Sequence, residues 1–289
     1  VQEKWSIKTN ILDEGSHIVG DMIESINHRL HLLNLSAEDF IGIGMGSPGV
    51  VDREKGTVIG AYNLNWKTLQ PVKEKIEKAT GISFFIDNDA NVAALGEMWK
   101  GAGEGEKDLI MVTLGTGVGG GIIIDGHPVV GAHGAGGEIG HITVRNDETE
   151  TCGCGRKGCL EQFTSATGVV RLAKRLMNNT DKETKMREFG ENITAKDVFD
   201  LAKEGDQGAN VVVKQMGTYL GKAMGFIAAT VNPQAFIIGG GVSKAGRFLI
   251  DAITDTYRNV SFKACSEAAV CLAELGNDAG MYGAAALVK

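Results

Sequence analysis

Between Glu138 and Glu161 the chain reads Glu-Ile-Gly-His, ten intervening residues, then Cys-Gly-Cys-Gly-Arg-Lys-Gly-Cys-Leu-Glu. Three thiols and an imidazole at this spacing constrain the backbone more than any other segment does, because one ion can gather all four. His141, Cys152, Cys154 and Cys159 form a Cys₃His set, which points to a closed tetrahedral structural Zn²⁺ site with no position left for a catalytic water. Gly153, Gly155 and Gly158 let the chain turn tightly enough for near neighbours to face one ion. The alternative is a disulfide or free thiols, with His141 an ordinary polar residue. It sits poorly with an odd count of five cysteines and with a start, Val-Gln-Glu-Lys-Trp, that lacks the apolar stretch of a secretory signal.

A chain of 289 residues, 43% hydrophobic and 22% charged, has the make-up of a soluble globular protein with room for two ordinary domains or one large one. No apolar run reaches 18 residues, so no membrane span is expected, and a formal charge of -7 argues against general nucleic-acid binding. The expectation is a cytoplasmic enzyme. The 41 glycines are roughly twice the usual share of about 7% and cluster at expected turns, implying many backbone approaches to ligands.

Strand and helix signals alternate. Phe40–Met45, ending in Gly46-Ser-Pro-Gly49, and Ile82–Ile86, ending in Asp87-Asn-Asp89, read as buried parallel strands. Helices are expected over Ser16–Leu33, Gln70–Ala79 and Ala90–Trp99. After Gly101-Ala-Gly-Glu-Gly105, the runs Leu109–Leu114 and Gly121–Ile124 with glycines between them predict a β-hairpin opening a second domain. Thr194 with Asp197 forms a capping box. Val212, Met216, Tyr219, Leu220, Ala223 and Ile227 mark an amphipathic helix, with Gly217, Gly221 and Gly225 on a small-residue stripe that implies close packing. Ala235–Ile238 leads through Gly239-Gly240-Gly241 into a helix near Ala245–Tyr257; strand, glycine loop and helix is a geometry for approaching phosphate or nucleotide.

Two loci have a plain structural reading. Leu114-Gly-Thr-Gly-Val-Gly-Gly-Gly121 lies between strands, so it is neither a Walker loop nor a Rossmann fingerprint, and by pattern it is a tight hairpin. In Asp87-Asn-Asp-Ala-Asn91 the strand-to-helix junction by itself favours an N-cap, although the carboxyl end of such a strand is also where open α/β sheets bind ligands.

Glu-x-Gly-His followed by Cys-x-Cys-Gly-x-x-Gly-Cys-x-Glu resembles the signature of the ROK family of repressors, open reading frames and sugar kinases. The resemblance runs from Trp5 to the end; Gly96–Gly103, Ser165–Val170 and Gly276–Gly280 are similar to glucokinases of Gram-positive bacteria. It implies an α/β, two-domain fold of the sugar kinase, actin and Hsp70 type with an interdomain cleft. Residues 1–101 plus 277–289 would form the small domain and 102–276 the large domain carrying the zinc loop. It further implies ATP-dependent phosphorylation of glucose at the 6-hydroxyl, with Mg²⁺ accompanying ATP, and a homodimer. By position, Asp89 would be the catalytic base and Asn88, Glu138, His141 and Glu161 would bind sugar hydroxyls, with Gly49 in the pocket floor. Thr116 and Gly117 would approach the ATP tail, and Gly239, Gly240 and Gly241 the adenosine. His141 would serve zinc through one ring nitrogen and sugar through the other.

Other readings are a ROK kinase for a different hexose or an N-acetylhexosamine, a sugar-responsive transcriptional repressor, and a noncatalytic sugar-binding protein. Family members begin with a strand and an Asp-x-Gly-Gly-Thr phosphate loop, whose Asp helps organise magnesium. That motif is absent from these 289 residues, and Trp5–Thr9 resembles the third strand of the family. The expectation is a missing β-hairpin, on the order of 25 to 35 residues.

Overall fold

The computed structural model describes residues 1–181 and 183–289. Residues 1–10 form neither helix nor strand, so the strand expected over Trp5–Thr9 is not formed. A strand exists only where its amides find a partner ladder, and the neighbouring parallel sheet contains two strands, neither of them this segment. Side chains hold the segment instead. The Trp5 indole N–H donates to Ser25 Oγ at 3.0 Å, and Arg29 lies over the indole ring, 5.0 Å from its centroid.

A one-turn segment Leu12–Gly15 (α1) precedes helix α2, Ile18–Leu32. Strand β1 (Ile43–Ser47) is followed by β2 (Val50–Asp52), β3 (Thr57–Ile59), β4 (Gln70–Pro71), helix α3 (Val72–Thr80), β5 (Phe84–Asn88) and helix α4 (Asp89–Lys100). As expected, β1 and β5 are parallel, in a register that sets Ser47 opposite Asn88. The antiparallel sheet β2-β3-β4 was not foreseen, since strands of two or three residues are too short to show periodicity. Gln70 and Pro71 belong to it, so the helix starts at Val72 and not at Gln70. Trp66 anchors this region, fully buried, its indole N–H donating to the Gly15 carbonyl at 3.0 Å.

A five-stranded sheet in the order β10-β9-β6-β7-β8 forms the second layer system. Its strands are β6 (Leu109–Leu114), β7 (Val118–Ile124), β8 (His127–Pro128), β9 (Ala235–Gly239) and β10 (Ala269–Leu272). The helices α5 (Glu161–Thr164), α6 (Ala166–Asn179), α7 (Ala195–Lys203), α8 (Gln207–Val231), α9 (Arg247–Val260) and α10 (Ala279–Ala286) complete the fold. Central β6 is antiparallel to β7 and parallel to β9; Leu109–Val112 are buried accordingly.

The Thr194–Asp197 capping box starts α7 as the sequence indicated. The glycine stripe of α8 is explained by α9. A Cβ at Gly217 would collide with the Ala252 carbonyl oxygen, and one at Gly221 would lie 2.8 Å from that of Ile253. The loss of helix propensity at these glycines, up to about 1 kcal/mol each, is offset by the backbone approach they permit. Beyond β9, the helix expected near Ala245–Tyr257 is α9, Arg247–Val260, preceded by a 3₁₀ turn at Gly241–Ala245 and a break at Gly246 (φ 73°).

Three apolar cores result. One, around Trp66, Val72, Ile76 and Phe84, lies within residues 18–86. The largest joins β6 and β9 to α6, α7, α8 and α9. The third joins Ala94 and Leu95 of α4 to β6, β7 and β9, with Ala286 and Leu287 against it. Thus α4 and α10 bridge the first region to the large sheet. Among the described residues, no helix is long and apolar enough to cross a membrane.

Candidate active site

The N-terminus of α4 stands over the β6–β7 hairpin. This is possible because β7 begins Val118-Gly-Gly-Gly121: a Cβ at Gly121 would lie 2.6 Å from the Ala90 carbonyl oxygen and from Ala94 Cβ. The glycines therefore belong to the strand itself, where they let α4 lie directly on the sheet.

A crevice of about 410 Å³ at this junction is lined by Asp89, Ala90, Thr113, Gly117, Glu161 and Gly240, with other residues of the same segments. Four sequence-distant candidates, Asp89, Gly117, Glu161 and Gly240, thus share one site. Asn88 takes the N-cap role, its Oδ1 accepting the Ala90 N–H at 2.9 Å, so Asp89 is the first helical residue and remains exposed. The amide of Asn88 donates to the Gly49 carbonyl at 3.3 Å. Gly49 has φ 88°, and a Cβ there would lie 2.8 Å from Ala61 N and Ile59 O, so glycine is required. Asn88 and Gly49 are thus bonded to each other next to Asp89, but neither is among the residues lining the crevice.

The hairpin tip is held from below. Ala166 N–H donates to the Gly115 carbonyl at 2.8 Å, and the Thr167 hydroxyl donates to the Thr116 carbonyl at 2.9 Å. Thr116 is exposed at the tip, where its hydroxyl can meet an anion; the Gly115 N–H is taken by the Gly117 carbonyl at 3.0 Å and the Val118 N–H by Glu161 at 3.2 Å. Gly240 (φ 83°) crosses close to the Leu114 backbone; Gly239 ends β9 and is buried. Gly241 lines a separate cavity of about 330 Å³ with Val242, Lys244, Phe199, Lys196 and Lys203. These α7 residues escaped the sequence reading, which placed that helix but had no signal for what faced it.

Glu138 and His141 lie outside the crevice lining, beside the thiols. His141, Cys152, Cys154 and Cys159 have ligand atoms all within 4.8 Å of one another, the one such cluster among the described residues. His141 Nδ1 is 3.8 Å from Cys152 Sγ, while its Nε2 is 3.8 Å from a Glu138 oxygen. One ring nitrogen faces the thiols and the other faces Glu138. Cys154 and Cys159 sulfurs are 3.6 Å apart, far beyond a disulfide bond of about 2.05 Å, so the disulfide alternative is not realised. Burial pushes the Cys152 thiol up to about 12 and also raises Cys159. Two buried thiols that resist ionisation suit a cation that would compensate the thiolate charge. Glu161 joins the two halves: one oxygen accepts the Cys152 thiol at 3.3 Å, the other the Val118 N–H at 3.2 Å.

Behind Asp89, buried Asp87 accepts the Asn88 N–H at 2.7 Å and the Asn91 amide at 3.1 Å, with Arg53 Nε 3.5 Å from its other oxygen. These supporting roles were also missed: Asp87 and Asn91 are four residues apart but sit across a strand-to-helix junction, and Arg53 is distant in sequence.

A sequence model described as the ROK family matches residues 11–289. A glucokinase of Halalkalibacterium halodurans is 41% identical over 292 residues, spanning 100% of this chain and 88% of that protein. One of Streptomyces coelicolor is 36% identical over 258 residues, 87% of this chain and 81% of that protein. Among solved structures, a ROK family glucokinase from Streptomyces griseus in complex with glucose and AMPPNP is 35% identical. It superposes with a TM-score of 0.77 over 98% of this chain and 90% of that one.

Proposed function

The chain belongs to the ROK family, and we propose that its crevice transfers the γ-phosphoryl group of ATP to the 6-hydroxyl of glucose, giving glucose 6-phosphate. The fold is the α/β sugar-kinase fold of the actin and Hsp70 superfamily. The observation that carries the reading is the convergence of Asp89, Gly117, Glu161 and Gly240 on one crevice.

Asp89 is the general base, exposed at the helix start so that it can meet the 6-hydroxyl. Phosphoryl transfer passes through a loose transition state in which the hydroxyl proton is given up late, so the hydroxyl need not be deprotonated beforehand and positioning dominates. Thr116 and Gly117 receive the phosphates, and Gly239–Gly241 with the cavity beside Phe199 receives the adenosine. Asn88, Gly49, Glu138, His141 and Glu161 read the sugar hydroxyls, since carboxylate, amide and imidazole groups fix donor and acceptor directions. Mg²⁺ bound to ATP would supply charge neutralisation. Asp89 and Glu161 are the carboxylates lining the crevice and both have other duties, so no residue here is assigned as its ligand.

His141, Cys152, Cys154 and Cys159 would hold Zn²⁺, which when bound fixes the 138–161 loop structurally. Residues 1–101 with 277–289 act as one domain and 102–276 as the other, supported by the core around Trp66 on one side and that around β6 and β9 on the other, while the third core packs α4 across the boundary; sugar closes the cleft between them. The enzyme works in the cytoplasm as a homodimer. A coupled assay of the full-length protein with ATP against a panel of hexoses tests the function: the highest kcat/KM falls on glucose, and preference for another hexose or no turnover would overturn it.

A further inference from the structure

Glu97 is fully buried, eight residues along α4 from Asp89, and its carboxylate is met by backbone amides. Oε1 accepts the Leu275 N–H at 2.9 Å; Oε2 accepts those of Ala102 at 3.0 Å and Glu274 at 3.1 Å. The Glu97 carbonyl also accepts the Gly101 and Gly103 N–H groups at 3.1 and 3.0 Å. The segments so gripped are the connection from α4 to β6 and the connection from β10 to α10. Both run between the large sheet and the helices that bridge it to the first core.

A turn does not need a buried charge to satisfy three amides, and burying a carboxylate carries a large desolvation cost. Charge-assisted bonds are stronger and shorter-ranged in geometry than neutral ones, so this arrangement buys rigidity at one point. The reason for that rigidity lies at the other end of the helix. α4 rests on β7 through Ala90 and Ala94 against Gly119 and Gly121, and on α10 through Val92 and Gly96 against Gly283 and Ala279, so its two packing faces meet the sheet and the helix into which the connections gripped by Glu97 lead. We infer that Glu97 is a positioning residue for the phosphoryl transfer: its clasp on both connections fixes α4 along its axis and thereby sets Asp89 over the 115–119 hairpin. The inference rests on the assignment of Asp89 as the base.

Glu97→Gln keeps the size of the side chain and turns one acceptor into a donor facing an amide. In the full-length protein it lowers kcat by tenfold or more while KM for glucose and for ATP stays within threefold. Gly217→Ala, which strains the remote α8–α9 contact, is the stability control and leaves kcat per folded molecule unchanged. An unchanged kcat in Glu97→Gln, or the same loss in both variants, would overturn the inference. If Glu97→Gln does not fold, hydrogen exchange of the unaltered protein decides. The Ala102, Glu274 and Leu275 amides then share one free energy of opening, and three unrelated values would overturn the clasp. Failure of the unaltered protein to phosphorylate glucose would instead remove the functional reading, leaving the exchange result as a separate test of the clasp.

Discussion

The Glu161 carboxylate accepts the backbone N–H of Val118 at 3.2 Å, although 43 residues separate them, and this bond ties the cysteine-rich loop to the glycine hairpin. Its second oxygen meets Cys152, so one side chain stands between the structural cluster and the crevice. Glu161→Ala leaves the buried Val118 N–H without its acceptor, a cost of about 1–3 kcal/mol, and removes the proposed sugar contact. The expected result, read by calorimetric glucose titration and thermal melting, is a lower Tm with at least tenfold weaker glucose binding. Wild-type affinity would remove Glu161 from the sugar site.

Zinc is expected at about one ion per chain by elemental analysis, following a closed four-ligand set. Cys159→Ser replaces a soft thiolate by a hydroxyl; it lowers zinc content and Tm and weakens glucose binding, because the same loop carries Glu161. Metal-free protein with full activity would contradict the structural role.

How much of this was legible in the sequence follows the range of the interactions. The ligand cluster could be read because its donors lie within one segment of 19 residues, and the α8 stripe because helical spacing exposes it. At the Asp87–Asn91 junction the two competing readings overlap: Asn88 caps the helix, and exposed Asp89 accepts the same Ala90 N–H through one oxygen at 2.8 Å. The β2–β3–β4 sheet, the Asp87–Arg53 pair and the Glu97 clasp were hidden. Each depends on residues brought together only by tertiary packing, and a lone Glu in an Ala-rich helix carries no sign of distant backbone partners. Trp5–Thr9 failed for another reason: its reading as a strand rests on resemblance, but strand formation depends on a partner ladder.

Acid should weaken the Glu148–Arg175 pair. Two bonds of 2.6 and 2.8 Å from the Arg175 guanidinium hold the buried Glu148 carboxyl down from its ordinary 4.5 to about 2. A folded value below the unfolded one contributes stability at pH above 4.5, on the order of 2–3 kcal/mol, which is lost as pH falls toward 2. Urea titrations of wild type and Glu148→Gln therefore differ by a constant amount between pH 5 and 7 and converge below 4.5. A gap that is unchanged at pH 3 would contradict the pairing.

Gly217→Ala should destabilise the fold by about 1–3 kcal/mol despite the better helix propensity of alanine, because the added methyl collides with the Ala252 carbonyl. Urea unfolding measures it, and a stabilised variant would show that α8 and α9 are not in backbone contact.

The central claim is that Asp89 is the base in phosphoryl transfer from ATP to glucose. It is tested most directly by measuring glucose 6-phosphate formation by wild type and Asp89→Asn under saturating glucose and Mg-ATP, with glucose affinity measured in parallel. The account predicts that turnover falls by roughly 10²- to 10⁴-fold while the fold persists and glucose binding changes little. A variant keeping more than about a tenth of wild-type turnover, well short of the loss expected for a general base, would contradict it.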